Sequence, residues 1–504
     1  MGNGFLVWYK KLDEKIKFAF IVSFVLGMLV HIYKFANMLP GHDTMYAYYE
    51  NINSIPTGRW FLKIACGASS LFNLTWINGL LAVTYIALTV AIVTDIFQIK
   101  NAILIILTSG ILVSFQGMPE TFLYDFLTDG YMLSMLFAAM VLRLSLFGEK
   151  KIVKKFLAAV FLCFSCAIYQ SFVSFAMVLA LCYFANELLE NRRSVKECWI
   201  WIRDQLAIYI GGMGLYYIIW KILIAVKSIE VTSYQGISSA GLSLSVIRSG
   251  FRRMLYVFRE VLFEHGLVSE GVNFASILNG IFVVAAIVIL FVATVKSGIY
   301  KRGIQFVFFG LCVVLMPVAT CIWIFTSATV MYRPMMMFGV CLMFIWIAIL
   351  CERWSKQITK DLVAILLVLI IFNSSLQANI SYAYLTRCYE ATYAMGAEMM
   401  ARIHMLDDEA DSIVVVGDLI QEVLLSKDAH GQKIPLLTRL IEKHFLFDSS
   451  HTLLFLEHTF YNDLQKDFAV DEWEAREEVQ NMGCWPAKDS VQVIDKTVVI
   501  KLSN

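Results

Sequence analysis

His42 and Asp43 follow directly on an apolar run from Phe18 to Leu39, in the tetrad Gly41-His42-Asp43-Thr44. A carboxylate held where lipid meets water is costly to place there and implies a task. One task is general base catalysis, in which a carboxylate takes the proton of an attacking hydroxyl. Complementary groups lie in other polar segments between apolar runs. Arg59 sits in Thr57-Gly58-Arg59-Trp60-Phe61, and Arg333 in Tyr332-Arg333-Pro334. Glu120, Asp125 and Asp129 occupy the stretch 117–129, which has no Lys or Arg. Asp125 and Asp129 are four residues apart and would share a face of a helix. The stretch 227–275 carries Arg248, Arg252, Arg253 and Arg259 on a predicted amphipathic helix. Arginine holds an oxyanion such as a departing phosphate through paired hydrogen bonds. Carboxylates and arginines gathered at one membrane face therefore suit transfer of a group from a phosphate to a hydroxyl.

The elements that must position these groups are membrane spans. The chain has 504 residues, 59% of them hydrophobic and 16% charged, against about 25% charged in soluble proteins. Such a deficit over this length requires an apolar solvent. The net charge of +1 argues against nucleic acid as a partner. Apolar runs at 18–39, 76–97, 101–117, 130–147, 156–169, 171–189, 206–226, 276–295, 304–326, 335–351 and 361–379 predict about eleven spans. The run at 156–189 is divided at Tyr169-Gln170-Ser171, so that Arg192, Arg193, Lys196 and Arg203 fall on the basic side. Gln170 at this break could line a polar cavity or satisfy backbone groups. Lys and Arg concentrate in alternate connections, which places the N-terminus in the cytoplasm and the C-terminus outside. Lys10, Lys11, Lys15 and Lys17 precede an uncleaved first span.

From about Ser381 the chain becomes charged. A helix is predicted over Arg387–Met405, a buried strand over Ser412–Val416 and a hairpin over 491–502. The expected organisation is thus a transmembrane domain at 1–380 and a small extracytoplasmic α/β domain at 381–504. The 11 cysteines have no regular spacing, so neither disulfides nor zinc are expected. His404, His430, His444, His451 and His458 share no ligand spacing, and no metal site is predicted.

Several short motifs occur in a fixed order: Gly41-His42-Asp43, Gly58-Arg59-Trp60, Trp76-Ile77-Asn78-Gly79-Leu80, Asp129-Gly130-Tyr131, Tyr169-Gln170 and Tyr332-Arg333-Pro334. In these the chain resembles the bacterial Gtr-type glucosyltransferases of O-antigen serotype conversion and related surface-polysaccharide modification. The resemblance extends over most of the chain. It implies a GT-C-like polytopic fold, a polyprenyl-phosphate sugar as donor, and an acidic residue in the first outer loop, a role that falls on Asp43. It also implies undecaprenyl-phosphate-glucose as that donor.

The expected protein is an integral glycosyltransferase of the bacterial cytoplasmic membrane. It would move a hexose, with glucose expected, from the lipid carrier to a cell-surface glycan on the outer face, with inversion at the anomeric carbon. Asp43 would be the base, Arg59 and Arg333 would hold the phosphate, and His42, Glu120 and Asp129 would contact substrate. Asp125, Gln170, Arg252 and Arg253 are further candidates. No cofactor beyond the donor is expected; the partners are membrane lipid, donor and glycan acceptor. Competing uses are concrete. Arg59 could pair with Glu50, Arg252 and Arg253 could lie at the lipid surface, and Lys34, Asp95 and Arg143 could snorkel or anchor at span ends. The alternative function is a lipid-linked sugar flippase or transporter, favoured if polar groups sit at mid-membrane depth. An assembly protein whose outer domain does the work is a further one.

Overall fold

A computed structural model of the chain describes residues 12–41, 44, 54–69, 74–146, 151–232, 243–266, 269–270, 274–327, 329–330, 332–406, 410–418 and 449–503. Twelve helices of ten or more residues precede the C-terminal sheet among the described residues. They are α1 (Glu14–Ala36), α2 (Thr75–Phe97), α3 (Ala102–Ser114), α4 (Thr128–Leu146), α5 (Lys151–Ile168) and α6 (Phe172–Leu189). Next come α7 (Val195–Lys227), α8 (Leu244–Arg259), α9 (Phe274–Ser297), α10 (Ile304–Thr320), α11 (Gly339–Trp354) and α12 (Gln357–His404). Every predicted apolar run is occupied by one of these helices, and α8 is the predicted amphipathic helix. Seven helices are long and apolar enough to cross a membrane. The chain is therefore a helical, polytopic membrane protein.

Local chemistry explains the helix starts. Asp13 accepts the amide of Lys15, and Asn101 accepts that of Ile103. Ser194 and Glu197 form a reciprocal capping box at the head of α7. At the opposite end of several helices, arginines satisfy terminal carbonyls that lack an intrahelical partner. Arg302 donates to the carbonyls of Leu188 and Leu189 at the end of α6 (2.8 and 3.1 Å). Arg353 donates to the Phe97 carbonyl at the end of α2 (2.7 Å) and to Glu190.

Helix α1 shows how such a bundle packs. Ala19, Ser23, Gly27, His31, Lys34 and Phe35 are buried, whereas Ile21, Val25, Leu29 and Ile32 face outward. The stripe of small and polar residues packs on α2 and α3, as expected where lipid provides no hydrophobic drive between helices. Ser23 bonds Ser109 (2.9 Å), and His31 bridges the Tyr382 hydroxyl (2.8 Å) and the Val113 carbonyl (2.9 Å). Lys34 does not snorkel as expected. It is fully buried and paired with Asp125 at 2.5 Å. Asp95 and Arg143 pair with each other rather than with headgroups.

The predicted helix over 387–405 and the last apolar run are one helix, since α12 is continuous for 48 residues. At 1.5 Å per residue it is about 72 Å long, more than twice a bilayer core. Its far end carries a four-stranded sheet of order β2-β1-β4-β3: β1 (Ser412–Val416), β2 (Gln465–Lys466), β3 (Val491–Ile494) and β4 (Thr497–Lys501). Strand β1 is parallel to β2 and β4, and β3–β4 form the expected hairpin. Met399, Met400 and Ile403 of α12 share a core with Ile413, Val415, Leu453 and Trp485. Arg402 lies 4.3 Å over the Trp485 ring and donates to the Ala487 carbonyl.

Close helix contacts depend on glycine. A Cβ on Gly79 would lie 2.3 Å from the Phe35 ring, whereas one on Gly214 would meet nothing within 4 Å. Gly79→Ala is expected to cost about 1–3 kcal/mol and to lower the thermal midpoint of the detergent-purified protein. Gly214→Ala should not lower it.

Candidate functional site

At one end of the bundle three separated segments meet. The first is 54–69, which forms one helical turn at Leu62–Ala65 and a 3-10 turn at Cys66–Ser69. It is clamped from behind: Gln170 donates to the Thr57 carbonyl (2.7 Å) and the Tyr216 hydroxyl (3.2 Å), Trp220 donates to the Ile55 carbonyl (2.8 Å), and the Phe61 amide bonds Ala167 (3.0 Å). Gln170, at the break between α5 and α6, thus holds the loop that carries Arg59.

The second segment is the acidic stretch 117–129. Its carboxylates are not solvated surface: Glu120, Asp125 and Asp129 are all buried. They go to different partners. Asp125 pairs with Lys34. Asp129 opens α4 beside Cys66 and Tyr85, and burial together with this carboxylate pushes the Cys66 thiol up, so it stays protonated. Glu120 lies in the short helix Gly117–Thr121 and accepts the amide of Met335 at 2.7 Å.

The third segment is Tyr332-Arg333-Pro334. Arg333 is extended, as a residue before proline prefers to be, and Pro334 starts a 3-10 turn. A Cβ on Gly117 would lie 2.7 Å from the Pro334 carbonyl, so glycine lets the second and third segments touch. Arg253 of α8 donates to the carbonyls of Ser327 (2.9 Å) and Val330. It holds the approach to Arg333 rather than lying at the lipid surface as expected, while Arg252 is exposed.

Three buried tyrosines link these segments. The Arg333 guanidinium donates to the Tyr124 hydroxyl at 2.5 Å. The Tyr124 and Tyr131 rings are 6.1 Å apart, and those of Tyr131 and Tyr169 4.8 Å. Arg59 caps the other end, 4.9 Å over the Tyr169 ring and 3.5 Å from the Tyr131 hydroxyl. Arg59, Arg333 and Glu120 all act electrostatically on Tyr169. Burial also raises the Glu120 carboxyl from its ordinary 4.5 to about 7, against the pull of Arg333 and the Met335 amide.

Of the predicted residues, Arg59, Glu120 and Arg333 are therefore brought together. His42, Asp43 and Glu50 lie outside the described residues. Gly41, just before His42, packs against the 117–129 segment, for a Cβ on it would lie 2.5 Å from the Leu123 carbonyl. The tyrosines were not foreseen as site residues, although Tyr131 and Tyr169 stand in the ordered motifs. Beyond Phe115 and Gln116, an open-sided cleft runs between α3, α9, α11 and α12. Its lining includes Phe115, Leu278, Phe344 and Ile371, together with the amides of Gln116 and Asn279.

The model of the family described as glucosyl transferase GtrII matches residues 32–351. The chain belongs to this family. The matched span runs from α1 into α11 and contains Arg59, Glu120, Arg333 and the three tyrosines; α12 and the C-terminal sheet lie beyond it. No curated protein and no solved structure matches the chain. Membership makes the protein a glucosyltransferase-family transferase, and its apolar helices make it a membrane protein.

The Arg59 loop has little freedom to change. Gly58 has φ +79°, and a Cβ there would lie 2.3 Å from the Tyr216 hydroxyl. Gly58→Ala should reduce the fraction of protein that elutes as one folded species on size exclusion, and Gln170→Ala should do so less.

Proposed function

We propose that this protein transfers a glucosyl group from a polyprenyl-phosphate carrier, undecaprenyl phosphate in bacteria, to a hydroxyl of a cell-surface polysaccharide such as an O-antigen. The reaction takes place on the outer face of the cytoplasmic membrane, with the N-terminus inside and the C-terminal domain outside, on a GT-C-like scaffold. The observation that carries this reading is the meeting of Arg59 and Arg333 around Tyr124, Tyr131 and Tyr169, beside Glu120, in a chain of a glucosyl transferase family. Two guanidiniums and three hydroxyls offer donors to a phosphate group in a site with little water, where such bonds are strong. The groups gather at the helix ends rather than at mid-height, which favours transfer over transport.

In the proposed step the acceptor oxygen attacks the anomeric carbon and the bond from that carbon to the phosphate oxygen breaks. The hydroxyl proton passes to the Asp43 carboxylate, and the charge left on the lipid phosphate is held by Arg59 and Arg333. His42, Asp129 and Glu120 contact the sugars or orient the acceptor. The cleft beside Phe115, lined by both apolar and polar side chains, is the proposed entry for the lipid tail. The C-terminal domain helps to bind the polymer. No cofactor besides the donor is required.

The decisive experiment compares surface glycan hexose in cells carrying wild type, Asp43→Asn or Arg333→Gln at equal levels of inserted protein. Both variants should lose the added hexose. Unchanged hexose in Asp43→Asn excludes this mechanism.

A pH dependence follows from Glu120. Below about pH 7 its carboxyl is neutral and does not attract the Arg333 guanidinium; above it the carboxylate competes with the donor phosphate for that guanidinium. The donor is a phosphodiester whose charge does not change in this range. The donor KM should therefore rise as pH increases through about 7, and Glu120→Gln should flatten that rise.

A further inference from the structure

Lys34 is an ammonium with no solvent exposure, near the end of the first membrane helix. It makes two bonds that join separate parts of the chain. One goes to the Asp125 carboxylate and one to the Leu39 carbonyl, each at 2.5 Å. Asp125 is held from a third side, because the Asn78 amide of α2 donates to its carbonyl at 2.7 Å. The neighbouring backbone is tightly wound: Leu123 bonds Glu120, Tyr124 bonds Thr121, and Leu127 bonds Tyr124. Glu120 and Tyr124, the groups that meet Met335 and Arg333, therefore ride on the same short piece of chain as Asp125. On the other side, Leu39 leads into Gly41, which touches the Leu123 carbonyl and exchanges hydrogen bonds with Thr44.

We infer that Lys34 is a positioning residue: its ammonium locks the segment leading into the first polar loop onto the segment that carries Glu120 and Tyr124. This rests on the functional reading above. A charge costs too much in this setting to be mere filling, and a single ammonium with three donors can tie a carboxylate and a carbonyl together at fixed angles. The Arg59 loop has ties of its own, from Gln170 to the Thr57 carbonyl and from Trp220 to the Ile55 carbonyl. Loosening Lys34 thus shifts the two clamped segments against each other and leaves the Arg59 loop where it is. The consequence is misalignment of reacting groups more than weaker donor binding.

The test uses the full chain in lipid nanodiscs, with polyprenyl-phosphate-glucose as donor and an extracted cell-surface glycan as acceptor, and follows release of polyprenyl phosphate. The variants are Lys34→Met and the double variant Lys34→Met/Asp125→Leu, which removes both members of the pair, strands neither charge and so keeps a folded protein to measure. Per folded molecule, kcat should fall by about tenfold to a hundredfold in both, with donor KM nearly unchanged. Hydrogen exchange should rise over 37–41 and 117–128 and not over 54–61. A folded double variant with wild-type kcat and wild-type exchange overturns the inference, as does a loss of activity that only tracks the loss of folded protein. Wild-type protein that releases no polyprenyl phosphate overturns the functional reading instead, and the exchange pattern then decides the clamp by itself.

Discussion

The contact between Lys34 and Asp125 is the constraint on which the rest of this end of the bundle depends. A lone ammonium or a lone carboxylate in a low-dielectric interior loses its hydration with nothing in return, so each can be buried only with the other. Removing one partner of such a pair typically costs about 3–5 kcal/mol. The pair therefore dictates that the end of α1 and the 117–129 segment meet at one place. Asn78 and His31 extend the same logic to α2, α3 and α12, each with a hydrogen bond at a fixed position on the first helices.

From that meeting point the site is assembled by contacts that tolerate little displacement. Glu120 latches the turn after Arg333 through the Met335 amide, and Gly117 permits the approach by having no side chain. Tyr124, Tyr131 and Tyr169 then bridge the distance to Arg59. The Arg59 guanidinium rests over the Tyr169 ring and near the Tyr131 hydroxyl, and that of Arg333 on the Tyr124 hydroxyl. Beside them lies Glu120, whose carboxyl burial raises to about 7 against the pull of Arg333. The opposite end of the bundle is built differently. There Arg302 and Arg353 are consumed by helix-terminal carbonyls and by Glu190, a structural use of the same residue type.

Much of the architecture could be read from residue order. The positions of the helices follow from apolar runs that only a helix can carry through lipid, because every backbone polar group must be satisfied within the segment. The break at Tyr169-Gln170-Ser171, the terminal hairpin and the presence of Arg59, Glu120 and Arg333 in the polar segments were visible in the same way. The uses of Lys34, Asp125 and Arg253 were not. A lysine near a span end is read as snorkelling and an arginine on an amphipathic helix as touching headgroups. What makes them buried ties are partners Asp125 and the carbonyls at 327 and 330, which are distant in sequence.

The sequence alone thus determined that the chain is a helical membrane protein, where its polar segments fall, and which charged residues those segments offer, since composition and periodicity are local properties. Only the tertiary structure decided which of them converge. Arg59, Glu120 and Arg333 are joined through tyrosines, while Asp125 is withdrawn into a clamp with Lys34. The reason is physical: periodicity reports which face of a helix is apolar, but the partner of a buried charge is chosen by how helices and loops far apart in the chain pack together.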